Sequence, residues 1–333
     1  MSDQSEPYKI ESIEENIEDQ IESKLWKLPV FRQIFKLLNF ITLPALEGLT
    51  LYGFLRMFVK GLIKGAVTSR ASSIAFSFFT AIFPFLLFII IIIPYIPIDN
   101  FEYEFRNFLD SLLPPQTSDF FFENIFQNIL SDQSAGLISG VFVLSLFLMA
   151  NGVTALFSGF ESSYHQQLTR SVLKQYLYAL WVALILTFLL LLTIIVLGYF
   201  QIFVVQEFFE TLERQGYETK QQALYWSNIA KYVFVVIMLY LATATLYYFG
   251  TKEGKHSKFF SAGALLTTIL IIVFSYLFGI YITNFARYNE LYGSIGALLI
   301  ILFYLWLNSN LLLIGFELNA TIRRLKRKND KDD

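Results

Sequence analysis

Cysteine is absent from the 333 residues, which excludes disulfides, thiolate metal sites and cysteine nucleophiles. Histidine is nearly absent. His165 in ESSYHQQLTR and His256 in KEGKHSK each stand alone in a basic loop, whereas a zinc site needs three or four ligands at helix or turn spacing. Charge is scarce at 16%, where a soluble domain carries about a quarter. There is no Gly-x-Ser-x-Gly, no phosphate loop and no metalloprotease helix motif, and no pair of titratable groups is spaced for acid–base work. These absences leave enzymatic chemistry little to work with, so the expectation is a non-enzyme with no catalytic residue, no metal and no cofactor. A cleavable signal peptide is missing too, because the N-terminus is acidic and polar, and the first span is expected to act as its own insertion signal.

Hydrophobicity is abundant. The chain is 55% hydrophobic and 18% aromatic with a mean hydropathy of +0.54, which points to a polytopic membrane protein. About 20 apolar residues in a helix cross the roughly 30 Å hydrocarbon layer of a bilayer. Six stretches qualify, at about 71–97, 135–160, 177–205, 225–249, 259–286 and 291–316. The expected fold is therefore all-α, a membrane bundle of six transmembrane helices within residues 71–321, flanked by amphipathic helices.

Residues 1–22 hold eight carboxylates against Lys9 alone and read as a solvated acidic tail. Within 23–70, two basic amphipathic patterns follow. One sets Phe31, Ile34, Phe35, Leu38 and Ile41 against Arg32, Lys36 and Asn39. The other sets Leu51, Leu55, Phe58 and Leu62 against Arg56, Lys60 and Lys64. Both suit a helix lying among anionic lipid heads, or equally one packed on the ends of the bundle. Between the first two spans, residues 98–134 carry two short amphipathic patterns either side of Leu113-Pro114-Pro115, with charges almost all acidic. The tail 322–333 is basic.

Lysine and arginine sort the flanks. Counting Arg56, Lys60, Lys64 and Arg70 as the flank before span one, fifteen lie there, between spans two and three, between four and five, and after six, against Arg106, Arg214, Lys220 and Arg287 on the alternate side. Both termini are expected in the cytoplasm and residues 98–134 outside. Basic clusters beside spans are what topology demands, so they imply membrane lipids as partners and no nucleic acid.

The informative polar residues lie inside the spans. Ser73, Ser77 and Thr80 share a helical face with Pro84 and are expected to face protein. Pro84 removes a backbone donor and crowds the Thr80 carbonyl, so it is a hinge candidate. Two readings stay open for this stripe: close-packing residues, or a hinge beside a transport path. Asn151 precedes Gly152, the start of a small-residue contact face, and Gly293 and Gly296 open the last span. On that span Gly296, Phe303, Asn310 and Glu317 recur at seven, with Asn308 near the depth of Asn310. An amide in hydrocarbon is costly unless paired, so both asparagines are expected to point into the bundle or water. Glu317 is read as a partner of Arg323 or Arg324, or as part of a substrate or proton path.

Four stretches together resemble the YihY/BrkB family of six-span bacterial inner-membrane proteins, over about Leu49 to Thr321. They are Arg70-Ala71 with Ala75-Phe76 and Phe83-Pro84; Gly152 to Tyr164 followed by Arg170; Tyr292-Gly293-Ser294-Ile295-Gly296-Ala297; and Leu313-Ile314-Gly315-Phe316-Glu317-Leu318-Asn319-Ala320. Two departures stand out: Phe316 replaces a small residue, and Thr251-Lys252 lacks the proline common in the fourth-to-fifth loop. The resemblance implies a membrane protein linked to serum resistance and envelope integrity. A ribonuclease label has travelled with the family, but the sequence lacks clustered histidines and carboxylates for metal-assisted hydrolysis. The expected function is a transporter or flippase-like handler of lipid, envelope precursor or small solute. The alternative is a membrane scaffold that docks envelope proteins through residues 98–134.

Overall fold

In hydrocarbon every backbone amide must find its partner inside the protein, and the helix does this within one segment. The chain meets that demand with helices throughout the residues described by the computed structural model, which are 40, 50–64, 66–92, 135–163, 171–200, 220–252, 254, 258–285 and 294–332. The acidic tail 1–22, nearly all of the 29–41 pattern, the 98–134 segment, His165, His256 and Gly293 lie outside these residues.

Among the described residues seven helices follow one another: α1 (Leu51–Lys64), α2 (Val67–Ile92), α3 (Ala135–Glu161), α4 (Val172–Tyr199), α5 (Lys220–Gly250), α6 (Ala262–Phe285) and α7 (Ser294–Asp332). Six of them, α2 to α7, are long and apolar enough to cross a membrane. The protein is an all-α polytopic bundle. Contact clustering separates residues 62–320 from a second unit, Met1–Gly61 with Thr321–Asp333. In the second unit, Thr50 Oγ1 accepts the Gly53 amide and so caps α1, and the Phe54 and Phe58 rings stack 6.4 Å apart.

In the larger unit α2 packs on α3, α3 on α4, α4 on α5, and α5 on α6. The core runs through Ile74, Leu156, Phe157, Phe160, Val182, Tyr247, Leu313 and Phe316, all nearly or fully buried. The outside of the bundle is apolar as well: Phe147, Trp181, Phe188, Val233, Ile269 and Tyr276 are exposed on four successive spans. A water-soluble protein would hide such residues, and a bilayer solvates them.

Hydroxyls and amides along these spans mostly answer to their own helix. Thr154 donates to the Ala150 carbonyl, Thr187 to Ala183, Thr193 to Leu189, Thr245 to Leu241 and Ser309 to Leu305. Such back-bonding lets a polar side chain sit at hydrocarbon depth without a neighbour.

Candidate functional site

Several polar residues with partners on other helices gather where about two turns of α7, Leu313 to Ala320, meet four other helices. Glu317 is fully buried, and its Oε1 lies 2.9 Å from Nη2 of Arg70 in the first turn of α2. The Arg70 Nη1 donates to the Gly159 carbonyl at 2.6 Å. Gly159 lies in the last turn of α3, whose carbonyls have no amide ahead of them in the helix, so a guanidinium there satisfies an acceptor and the negative end of the helix dipole together. Glycine makes the approach possible, because a Cβ at position 159 would come within 2.7 Å of the Ile74 side chain on α2. The pair is only half satisfied: Glu317 Oε2 and Arg70 Nε are buried and have no hydrogen-bond partner.

Beside Glu317 in sequence, Phe316 stacks on Phe160 of α3 with centroids 4.3 Å apart and meets Tyr247 of α5 edge-on. A side chain at Gly250 would strike the Phe160 ring, so glycine there leaves room for the stack. The Tyr247 hydroxyl donates to the Leu312 carbonyl at 2.7 Å and lies 2.5 Å from Thr267 Oγ1 on α6. Gly315 and Gly263 bring the backbones of α7 and α6 together, and a Cβ on either would collide with the opposite helix. Asn319 completes the hub. Its Oδ1 accepts the Gly263 amide at 2.8 Å and its Nδ2 donates to Ser261 Oγ, which also accepts the Ala264 amide, so α7 helps cap the start of α6.

The position of Glu317 corrects one expectation and fills in another. Its ion pair is with Arg70 and not with Arg323 or Arg324, which stand six and seven positions along the same helix and outside the three-to-four spacing at which helical side chains meet. The other polar residues read from the sequence do not converge on it. Ser73 and Thr80 are exposed and Ser77 is half-buried, so the stripe expected to face protein turns largely outward; Ser77 donates to the Ser73 carbonyl and Thr80 to Ser77. Asn151 is exposed on α3. Asn308 and Asn310 are half-buried, and their amides donate to Tyr304 and Trp306 one turn back, at 2.8 and 2.7 Å. The expected stripe of sevens is not one environment: Gly296 and Glu317 are buried while Phe303 is exposed. Pro84 is buried within an unbroken α2, and Gly152 is buried where a Cβ would meet Ala81 at 3.2 Å.

Arg70 and Glu317 thus join the first and last of the four stretches that carry the resemblance, and Gly159 belongs to the second. The family model described as virulence factor BrkB matches residues 58–333. The chain belongs to the BrkB family. Among its relatives, the ribonuclease-like protein YfkH of Bacillus subtilis (strain 168) is 24% identical over 266 residues, covering 79% of this chain and 93% of YfkH. A UPF0761 membrane protein of Psychrobacter sp. (strain PRwf-1) is 23% identical over 278 residues, covering 82% of this chain, which spans about half (49%) of that relative's length. No solved structure matches. Within this BrkB protein, groups of three or more histidines, cysteines or carboxylates that could hold a metal are absent among the described residues.

Proposed function

We propose that the protein is a transporter that moves or handles a small amphiphile across the bacterial inner membrane, with lipid or a lipid-linked envelope precursor as the substrate class and both termini in the cytoplasm. The buried Arg70–Glu317 pair carries this reading. Taking each ion out of water costs several kcal/mol, and an apolar pair of similar volume would hold two helices together at least as well. Ionisable side chains inside a span therefore mark a path or a moving part more often than a brace. This pair joins α2 to α7 and leaves one carboxylate oxygen and one guanidinium N–H unengaged, so its bonds can be exchanged with an incoming polar headgroup or water while the charges remain compensated. On this reading the ribonuclease name of YfkH describes no activity of this chain, and the protein acts without catalysis.

The test uses the purified full chain in liposomes carrying a trace of fluorescent phospholipid, with transbilayer movement read from the fraction open to a membrane-impermeant quencher. Wild-type vesicles should equilibrate the label faster than protein-free ones, and Arg70→Met/Glu317→Leu, which keeps the packing without the charges, should fall to the protein-free rate. Equal rates in wild-type and protein-free vesicles, or undiminished movement in the double variant, would defeat the proposal.

A further inference from the structure

A cleft of about 300 Å³ lies between α2, α3 and α4 with α7 at one edge, walled by Phe78 and Ile82 of α2, Met149 and Val153 of α3, Leu186 of α4 and Leu305 of α7. Leu190 lines it too and is 41% exposed, so the cleft opens onto the outside of the bundle. Thr187 is the one polar residue among the described lining, and its hydroxyl is engaged by the Ala183 carbonyl at 2.8 Å. The walls therefore offer an occupant no free donor, and they select for hydrocarbon alone.

Depth decides which hydrocarbon. The α3 lining falls midway along the candidate span Phe142–Glu161, and the α4 lining midway along Val172–Leu197. At that depth the medium outside the opening is the interior of the bilayer, whose molecules are acyl chains. The volume lies at the small end of the range for ligand pockets and suits one chain, not a whole lipid. Gly152 keeps α2 and α3 close on one side of the space, and Pro84, between Ile82 and Phe85, deprives that wall of one bond of the helical ladder.

We propose that this cleft binds a single acyl chain of a membrane lipid, held apart from the lipids that merely surround the bundle. The proposal names the substrate class within the transport reading, and its functional meaning rests on that reading.

The experiment reconstitutes the full chain in phosphatidylcholine vesicles with a trace of phospholipid bearing a photoreactive diazirine at mid-chain, and maps the adducts by mass spectrometry after illumination. Adducts should concentrate on Phe78, Ile82, Met149 and Leu186 above the level at the lipid-facing Trp181, Phe188 and Ile269. Leu186→Trp should fill the cleft; displacing about two buried methylenes weakens retention roughly tenfold, and the cleft adducts should fall accordingly. Should that variant fail to fold, Leu190→Trp at the exposed opening makes the same comparison with less strain. Adducts spread evenly over cleft and lipid-facing residues, or cleft adducts indifferent to both variants, would overturn the proposal. Quencher accessibility in the same vesicles separates the two ideas: cleft labelling without transbilayer movement leaves the acyl site standing and removes transport, while movement without cleft labelling does the reverse.

Discussion

Removing Glu317 should destabilise the bundle far more than removing it together with Arg70. In Glu317→Leu the guanidinium keeps its place under the Gly159 carbonyl but loses the carboxylate 2.9 Å away, in surroundings where the Arg70 side chain is 10% exposed and that of Glu317 not at all. Breaking one side of a buried pair leaves an uncompensated charge and costs about 3–5 kcal/mol. Arg70→Met should cost at least as much, because it strands the Glu317 carboxylate and also takes the donor from the Gly159 carbonyl, a further penalty of about 1–3 kcal/mol. Arg70→Met/Glu317→Leu removes both charges while retaining volume; such replacements run from neutral to about 1–4 kcal/mol more stable, which offsets the roughly 1–3 kcal/mol for the Gly159 carbonyl that loses its donor. Thermal unfolding of all four proteins in one detergent, followed by intrinsic tryptophan fluorescence, gives the cycle. With roughly 2–4 °C per kcal/mol for a unit of this size, each single variant should melt about 6–20 °C lower and the double variant near or above the wild type. Single variants that lose less than about 1 kcal/mol would mean the pair behaves like a solvated surface bridge. A double variant as unstable as the sum of the singles would mean the two residues are not coupled. Either result refutes the reasoning.

Gly315→Ala should cost about 1–3 kcal/mol by forcing α6 and α7 apart, since its Cβ would meet Thr267 Oγ1, the Tyr247 hydroxyl and the Gly263 carbonyl, whereas Gly140→Ala, with open space around it, should be neutral or slightly stabilising; melting temperatures in detergent compare the two. Asn310→Leu should leave both stability and transbilayer movement within error of the wild type, because its amide donates to the Trp306 carbonyl of its own helix, and loss of movement would show that this amide faces a path after all.

The six spans were legible because hydropathy is a local property, and a run of apolar residues long enough to cross a bilayer needs no knowledge of its neighbours. The hub was legible only in pieces. Arg70 and Glu317 each fall in a stretch that carries the family resemblance, but their meeting spans 247 residues of sequence, and no periodicity links positions so far apart. Phe316 looked like a departure because it stands where a small residue is common. The structure accommodates it by stacking it on Phe160, whose space is in turn granted by Gly250, a complementarity among three helices that one sequence does not display. The outward turn of Ser73 and Thr80 has a physical origin: a polar side chain in a span needs no partner on another helix where an acceptor lies three or four residues back on its own, as it does for Thr80 and for the half-buried Asn308 and Asn310.

The ion pair and the cleft share α2 and α3, and the manner of their packing bears on how one could influence the other. Ile74 of α2 lies against Gly159 of α3, and Ala81, seven residues further along α2, lies against Gly152, seven residues back along α3, so the two helices cross antiparallel through glycine contacts one heptad apart. Contacts of this kind bring backbones close without interlocking large side chains, and they resist axial rotation less than a knob in a hole does. What fixes α2 beside them is Arg70, tied both to Glu317 on α7 and to the end of α3. The cleft begins directly beyond Gly152, at Phe78 and Ile82. Release of Arg70 would remove that polar tie while the apolar packing of α2 on α3 remains, and a small rotation of α2 about its glycine contacts would move Phe78 and Ile82 and alter the walls of the cleft.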